Sequence, residues 1–287
     1  MSPVWWGLIG AAAFGSGDFI ARIAGRGIGP QSTTLGMLIA GAATFWLWIL
    51  VADLPLVLSA EGLALVVPAG LVVMVASLLF FVALTRGPVS IVAPIGAAFP
   101  VWVVVLGLAL GIVPQLEQFA AMGVVMAGVV IVTRFSDPRG EDVQGGGGIW
   151  PTVFMTLAVT MMFAAVIYIA RDASAILGEV QATAWMRLVS LAAMAAFVLA
   201  IRRSSFRIAP RWWPAVLAIG VLDTVAFVAL LFGARGTGAP LAAVAMSSYT
   251  VITVVLARLF LKENVPPRQW IGIAIVVAGV AILAYQG

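Results

Sequence analysis

The sequence predicts an all-α integral membrane protein, ten transmembrane helices arranged as two inverted five-helix repeats. Three observations carry this. Of 287 residues, 63% are hydrophobic and only 9% charged, against roughly 45–50% and 25% in soluble domains, so there are too few charges to cover a globular surface in water. Apolar runs of about 20 residues, the length that spans a bilayer core, recur along the chain. Short motifs recur at a nearly constant separation.

The expected spans are Val4–Ala24, Ser32–Ala52, Leu63–Thr85, Val89–Ile112, Gln115–Thr133, Ile149–Ala170, Gln181–Ile201, Trp212–Ala234, Gly238–Leu261 and Pro266–Tyr285. Lipid offers no partner to backbone N–H and C=O groups, so each run must satisfy them internally as a helix. A barrel would alternate with period two, and these runs do not. No basic residue precedes span 1, which therefore reads as a retained helix and not a cleaved signal peptide. Trp5, Trp6, Trp150, Trp212, Trp213 and Trp270 stand at run ends, where interfacial aromatics belong. The one long polar break, TRFSDPRGEDVQGGGGIW at 133–150, has a proline, mixed charges and four successive glycines and reads as a linker. It divides the chain into a first repeat at 1–134, a Gly-rich linker at 135–148 and a second repeat at 149–287.

FIAR at 19–22 returns as YIAR at 168–171, and QST at 31–33 as QAT at 181–183. Gln118 corresponds to Gln269, and AGV at 127–129 to AGV at 278–280. The offsets are 149, 150, 151 and 151. Four ordered matches at nearly one spacing indicate an internal duplication. Five is odd, so the second copy enters the membrane from the opposite side. Inverted repeats of this kind are the architecture of many secondary transporters, in which two similar halves exchange inward-open and outward-open shapes.

The net charge of +4 would suggest a nucleic-acid partner in a soluble protein. Here the basic residues sit between apolar runs, so the expected partners are a lipid bilayer and a small-molecule substrate, with protons as a coupling ion and no nucleic acid. Arg22, Arg26, Arg86, Arg134, Arg139, Arg202, Arg203, Arg207, Arg211, Arg258, Lys262 and Arg268 fall on one side of the expected topology, and only Arg171 and Arg235 on the other. The positive-inside bias predicts a bacterial-type cytoplasmic (inner) membrane protein with both termini outside. There is no cysteine and no histidine, which removes disulfides, the usual zinc and haem ligands and the common enzymatic bases and nucleophiles. No cofactor is expected, nor an enzyme: a Ser–Lys dyad would need Lys262, the only lysine, at a helix end. A receptor or scaffold would call for an appended soluble domain or long tails, which the sequence lacks. It also lacks a phosphate-binding loop for driving transport with ATP.

Charged side chains within a span are costly and mark functional or paired sites. Asp223 lies eleven residues into span 8, about 16 Å along a helix and near mid-membrane. It reads as a carboxylate that accepts a proton or a substrate ammonium, or as a structural Asp hydrogen-bonded to neighbouring helices. Asp18 lies one turn before Arg22, so the expectation is an i,i+4 ion pair, with a coupling role as the alternative. Arg187, inside span 7, either clamps a carboxylate or snorkels and holds backbone carbonyls. Pro94 and Pro100 in span 4 and Pro240 in span 9 each remove a backbone donor and invite kinks that a gate would use. Ser247, Ser248 and Tyr249 bring three hydroxyls together, of which one or two face any cavity. Phe80, Phe81, Trp102, Tyr168 and Trp185 offer rings for an aromatic or cationic substrate, or pack against helices and lipid.

The motifs also resemble a known family. FGSGDFIAR at 14–22 is similar to the first-helix WGSNFVAIK pattern of the EamA family, in the drug/metabolite transporter superfamily. LKENVPPRQWIGIAIVVAGV at 261–280 resembles its LGExxxxxQxxGxxxIxxGV, with Lys262 at a usual glycine and Glu263 at the acidic position. WMRL at 185–188 resembles the Arg early in the second helix of a repeat, which implies a structural role for Arg187. The resemblance covers nearly the whole chain and implies an exporter of small metabolites, most of all amino acids, with drugs, sugars or nucleobases as alternatives. In the first repeat Ile112 stands where the second has Glu263, and the loop after span 2, usually basic in the family, carries Asp53 and Glu61. The family implies cytoplasmic termini, opposite to the charge pattern.

Overall fold

The computed structural model describes residues 1–54, 56–57, 59–86, 92–93, 95–96, 99–111, 113, 116–135, 150–201, 208–260 and 266–286. The elements are α1 (Pro3–Ile28), α2 (Pro30–Val51), α3 (Ala60–Arg86), α4 (Phe99–Ala109), α5 (Leu116–Arg134), α6 (Trp150–Leu177), α7 (Glu179–Ile201), α8 (Trp213–Gly233, after a 3-10 turn at Pro210–Trp212), α9 (Ala239–Met246), α10 (Tyr249–Phe260) and α11 (Pro267–Gln286). Among the described residues, seven helices are long and apolar enough to cross a membrane, with α9 and α10 together making one of them. Their outward faces carry large exposed apolar side chains such as Leu50, Val51, Phe154 and Leu199, as helices bathed in lipid require. Glu263, Lys262, Ile112, Pro94 and nearly all of the expected linker lie outside the described residues, as do the side chains of Pro100, Pro240 and Gln118.

The duplication is visible in how helices meet. α1 packs on α8 and α3 on α6; α2 packs on α8 and α7 on α3; α1 packs on α9 and α10, and α6 on α4. Each of these pairs becomes its partner when the halves are exchanged, while α2–α7 and α5–α11 map onto themselves. Local chemistry follows the same rule. Gly29 joins α1 to α2 and Gly178, 149 residues later, joins α6 to α7. Both have φ of 84°, a conformation without steric cost only for glycine. Thr33 and Thr183 then each hydrogen-bond a carbonyl four residues back, Gly29 O at 2.9 Å and Glu179 O at 2.8 Å.

Gly70 and Gly220, 150 residues apart, form a second matched pair. A Cβ on Gly70 would lie 2.7 Å from the Met186 carbonyl oxygen at the α3–α7 crossing. One on Gly220 would lie 2.8 Å from the Met37 carbonyl oxygen and 2.8 Å from the Gly41 nitrogen at the α8–α2 crossing. Small residues let the backbones approach, the usual basis of helix association in lipid. At the α3–α7 crossing, Ser190 Oγ also donates to Gly70 O at 2.7 Å.

The two halves are antiparallel. Gly25, near the end of α1, abuts Thr85 at the end of α3, whereas Gly62 at the start of α3 abuts Leu177 at the end of α6. So α1 and α6 run in opposite directions, as five-helix parity demands. The end of the bundle where α1 begins also holds Gly233, Gly238 and the start of α7; the other end holds Trp212, Arg86 and Arg134. Expected span 9 is not one continuous helix. It breaks at Ser247–Ser248, where the two hydroxyls donate to Val244 O at 2.6 Å and Ala245 O at 2.8 Å within their own turn. Such side-chain bonds compete with the helical ladder and favour a break.

Candidate functional site

A cavity lies between the halves. Its lining follows the repeat: Phe14 with Phe163, Asp18 with Ile167, Ser77 with Phe227, Phe80 with Leu230 and Phe99 with Tyr249 all line it at offsets of 149 or 150. The cavity therefore straddles the axis that relates the two halves. Equivalent positions differ in chemistry, however, and the difference divides the cavity into two walls. α1 and α8, packed together, carry Asp18 and Asp223 among the apolar Phe14, Ile219, Phe227 and Leu230. The opposite wall, α3 and α6, carries Ser77, Phe80, Phe81, Val159, Phe163 and Ile167. On that wall Phe80 meets Phe163 edge to face at 6.3 Å and lies tilted against Phe81 at 6.5 Å.

Asp223 and Arg187, which the sequence offers as separate candidates, form an ion pair. The guanidinium also lies over the Phe227 ring at 5.2 Å, and the Arg187 side chain is 3% exposed. Arg187 is not part of the cavity lining. It stands behind Asp223 between α2, α7 and α8, where the missing side chain of Gly41 leaves room for its Cδ at 4.0 Å from a built Cβ. Its Nη1 is buried without a hydrogen-bond partner among the described residues.

Asp18 corrects an expectation. No ion pair of Asp18 with Arg22 forms; Asp18 is 8% exposed, faces the cavity and makes no ion pair or hydrogen bond among the described residues. Arg22 is buried as well. On a helix packed on several sides, the directions of residues 18 and 22 are set by neighbouring helices and not by their mutual attraction.

The remaining candidates divide sharply. Tyr249 and Phe81 line the cavity, as does Phe80. Tyr249 opens α10, donates to Ala93 O at 3.3 Å and meets Phe14 edge-on at 6.3 Å. Trp102, Tyr168 and Trp185 do not line it. Tyr168 donates to Val103 O at 2.7 Å, tying α6 to α4, and carries Arg171 over its ring at 5.5 Å. Trp185 packs edge-on against Trp46 at 5.1 Å, and Trp102 packs against the apolar core. Ser247 and Ser248 are buried and engaged by their own turn. Phe14, Phe99 and Phe163 line the cavity and escape sequence reasoning, although the offset of 149 that aligns FIAR with YIAR also aligns Phe14 with Phe163. Among the described residues, no group of three His, Cys, Asp or Glu side chains could hold a metal ion.

A multi-pass helical bundle of two inverted halves around a central cavity defines a class, the membrane transporters built from inverted repeats. The model of the EamA-like transporter family matches residues 1–134 and 150–285, and the chain belongs to that family, whose members are transporters and not enzymes. A crystal structure of a protein 18% identical in sequence superposes with a TM-score of 0.73, covering 98% of this chain and 96% of its own, a likeness of fold. No curated protein matches the sequence.

Proposed function

We propose that the protein is a secondary active transporter of ten spans that exports small metabolites by alternating access of its two inverted repeats. The single observation that carries this reading is the cavity between the halves, lined by equivalent residues of both. Rocking one half against the other would expose such a site to each side of the membrane in turn. The family resemblance puts amino acids first among cargoes, with drugs, sugars and nucleobases as the other classes. Asp18 and Asp223 are the coupling candidates and protons the coupling ion, because they are the titratable carboxylates of the cavity wall.

Location and orientation follow from charge. Arg26, Arg86, Arg134, Arg211, Arg258 and Arg268 close helices or open them at one end of the bundle, and Asp53, Glu61, Asp172 and Glu179 collect with Arg171 and Arg235 at the other. The positive-inside bias puts the first end in the cytoplasm and both termini outside an inner-type membrane.

The experiment is counterflow in proteoliposomes. Vesicles preloaded with unlabelled amino acids are followed for entry of a labelled one, with sugars, nucleobases and cationic drugs as parallel sets. Saturable exchange supports transport and selects the cargo class. Absence of exchange across all sets, with protein folded and correctly inserted, sinks the reading. Loss of pH-gradient-driven uptake with retained exchange in Asp223→Asn would assign that carboxylate to proton coupling.

A further inference from the structure

Only the α1–α8 wall of the cavity carries carboxylates, and that bears on the ionic form of the cargo. The α1–α8 wall presents two carboxylates. The cavity lining contains no Lys or Arg among the described residues. Arg187 stands behind Asp223 and is already paired with it and stacked on Phe227. One guanidinium thus serves one of two carboxylates, and Asp18 faces the cavity buried and without an ion-pair or hydrogen-bond partner. A buried carboxyl without a counter-charge either holds a proton or pairs with a cation, so the site can take one positive charge beside Asp18 in exchange for a proton.

The opposite wall gives the rest of the ligand its character. Phe80, Phe81 and Phe163 on α3 and α6 bound an apolar space, which Phe14 on α1, Phe99 on α4 and Phe227 on α8 continue round the cavity. Aromatic faces carry negative quadrupole density, which attracts cations and repels anions. A carboxylate placed in this cavity would meet Asp18, the already paired Asp223 and ring faces. The hydroxyls available to it are those of Tyr249, which donates to Ala93 O, and Ser77. Discrimination against a carboxylate is therefore built from repulsion as well as from missing donors.

We propose that the cargo is an organic monocation, an amine with an apolar or aromatic body and no free carboxylate. Its ammonium rests against Asp18 at the α1–α8 wall and its ring against Phe80 and Phe163 at the α3–α6 wall. This deepens the transport reading and rests on it. It departs from the free amino acids that the family resemblance favours, because a zwitterion brings a carboxylate that this cavity does not accommodate.

Three probes of one shape test it: tryptamine (cation), tryptophan (zwitterion) and indole-3-ethanol (neutral). Binding is measured on the full chain in nanodiscs and counterflow in proteoliposomes. Tryptamine should bind at least tenfold tighter than either other probe and should exchange. Asp18→Asn should weaken tryptamine at least tenfold while leaving indole-3-ethanol within threefold. Asp18→Glu should retain most of the tryptamine preference, which guards against loss of fold in the Asn variant. Phe163→Ala should weaken tryptamine and indole-3-ethanol together. Saturable tryptophan counterflow without preference for tryptamine overturns the cargo inference and leaves transport standing. Asp18-dependent tryptamine binding without any counterflow upholds the site and overturns transport. No binding of tryptamine by the folded protein overturns the cargo inference outright.

Discussion

Arg187 on α7 and Asp223 on α8 meet as a buried ion pair, capped by Phe227 one turn beyond Asp223 with its ring 5.2 Å from the guanidinium carbon. Removing one member leaves the other charge buried alone. Asp223→Asn and Arg187→Gln should each destabilise the protein by about 3–5 kcal/mol. The joint replacement Arg187→Met with Asp223→Leu should recover most of that loss. Reversible unfolding in mixed micelles measures all three; additive losses in the double variant would show that the pair is not coupled.

Gly70 and Gly220 hold equivalent helix crossings at which an added Cβ meets backbone atoms at 2.7–2.8 Å. Gly70→Ala and Gly220→Ala should each cost about 1–3 kcal/mol by overpacking. Gly123→Ala is the control, since nothing lies within 4 Å of its Cβ position, and the change should be neutral or slightly stabilising. The same unfolding assay decides, and equal behaviour of all three would contradict the close crossings.

Gly17 lines the cavity, and a Cβ there would find ordinary contact, with Leu222 Cβ at 3.6 Å. Gly17→Leu should therefore fold at near wild-type stability and fill part of the cavity. Exchange of any cargo should fall at least tenfold. Normal exchange by this variant would place the transport path elsewhere.

At the end where α1 begins, Arg235 pairs with Glu179, lies over the Phe232 ring at 4.4 Å, and Phe232 stacks on Trp6 at 5.0 Å. The contact ties the start of α7 to the α8–α9 connection and to α1. Arg235 is 59% exposed, so screening keeps the ionic part weak. A double-mutant cycle of Arg235→Gln and Glu179→Gln should give a coupling below about 1 kcal/mol that shrinks as salt rises. A larger, salt-independent coupling would mean that this end is closed more tightly than its exposure implies.

Orientation is checked with paired C-terminal reporters. The charge distribution predicts that a reporter fluorescent only in the cytoplasm stays dark and that one active only outside works. The reverse result would restore the cytoplasmic termini implied by the family resemblance.

Much of the fold is legible in the sequence because lipid imposes simple rules. A run of apolar residues must be helical, and an odd number of spans per repeat inverts the second copy. The site is less legible. Asp223, Asp18, Tyr249 and Phe81 stand out by residue type and depth, and the structure brings them to one cavity. Trp102, Tyr168 and Trp185 stand out by the same criteria and face elsewhere. In water, polar and apolar faces tell which side of a helix points inward. In α2, α4, α5 and α8 the outward face is as apolar as the inward one, so the sequence holds no such sign.

By itself, then, the sequence determined the solvent, the helices, the duplication and its inversion, each from composition, periodicity or parity along the chain. Only the tertiary structure decided that Arg187 serves Asp223 and that Asp18 turns from Arg22 to the cavity. It also decided that both cavity carboxylates lie on the α1–α8 wall and that the α3–α6 wall carries none. Those outcomes depend on side-chain direction across helix crossings set by residues as distant as Gly41, Gly70 and Gly220, and direction on an all-apolar helix is decided by packing alone.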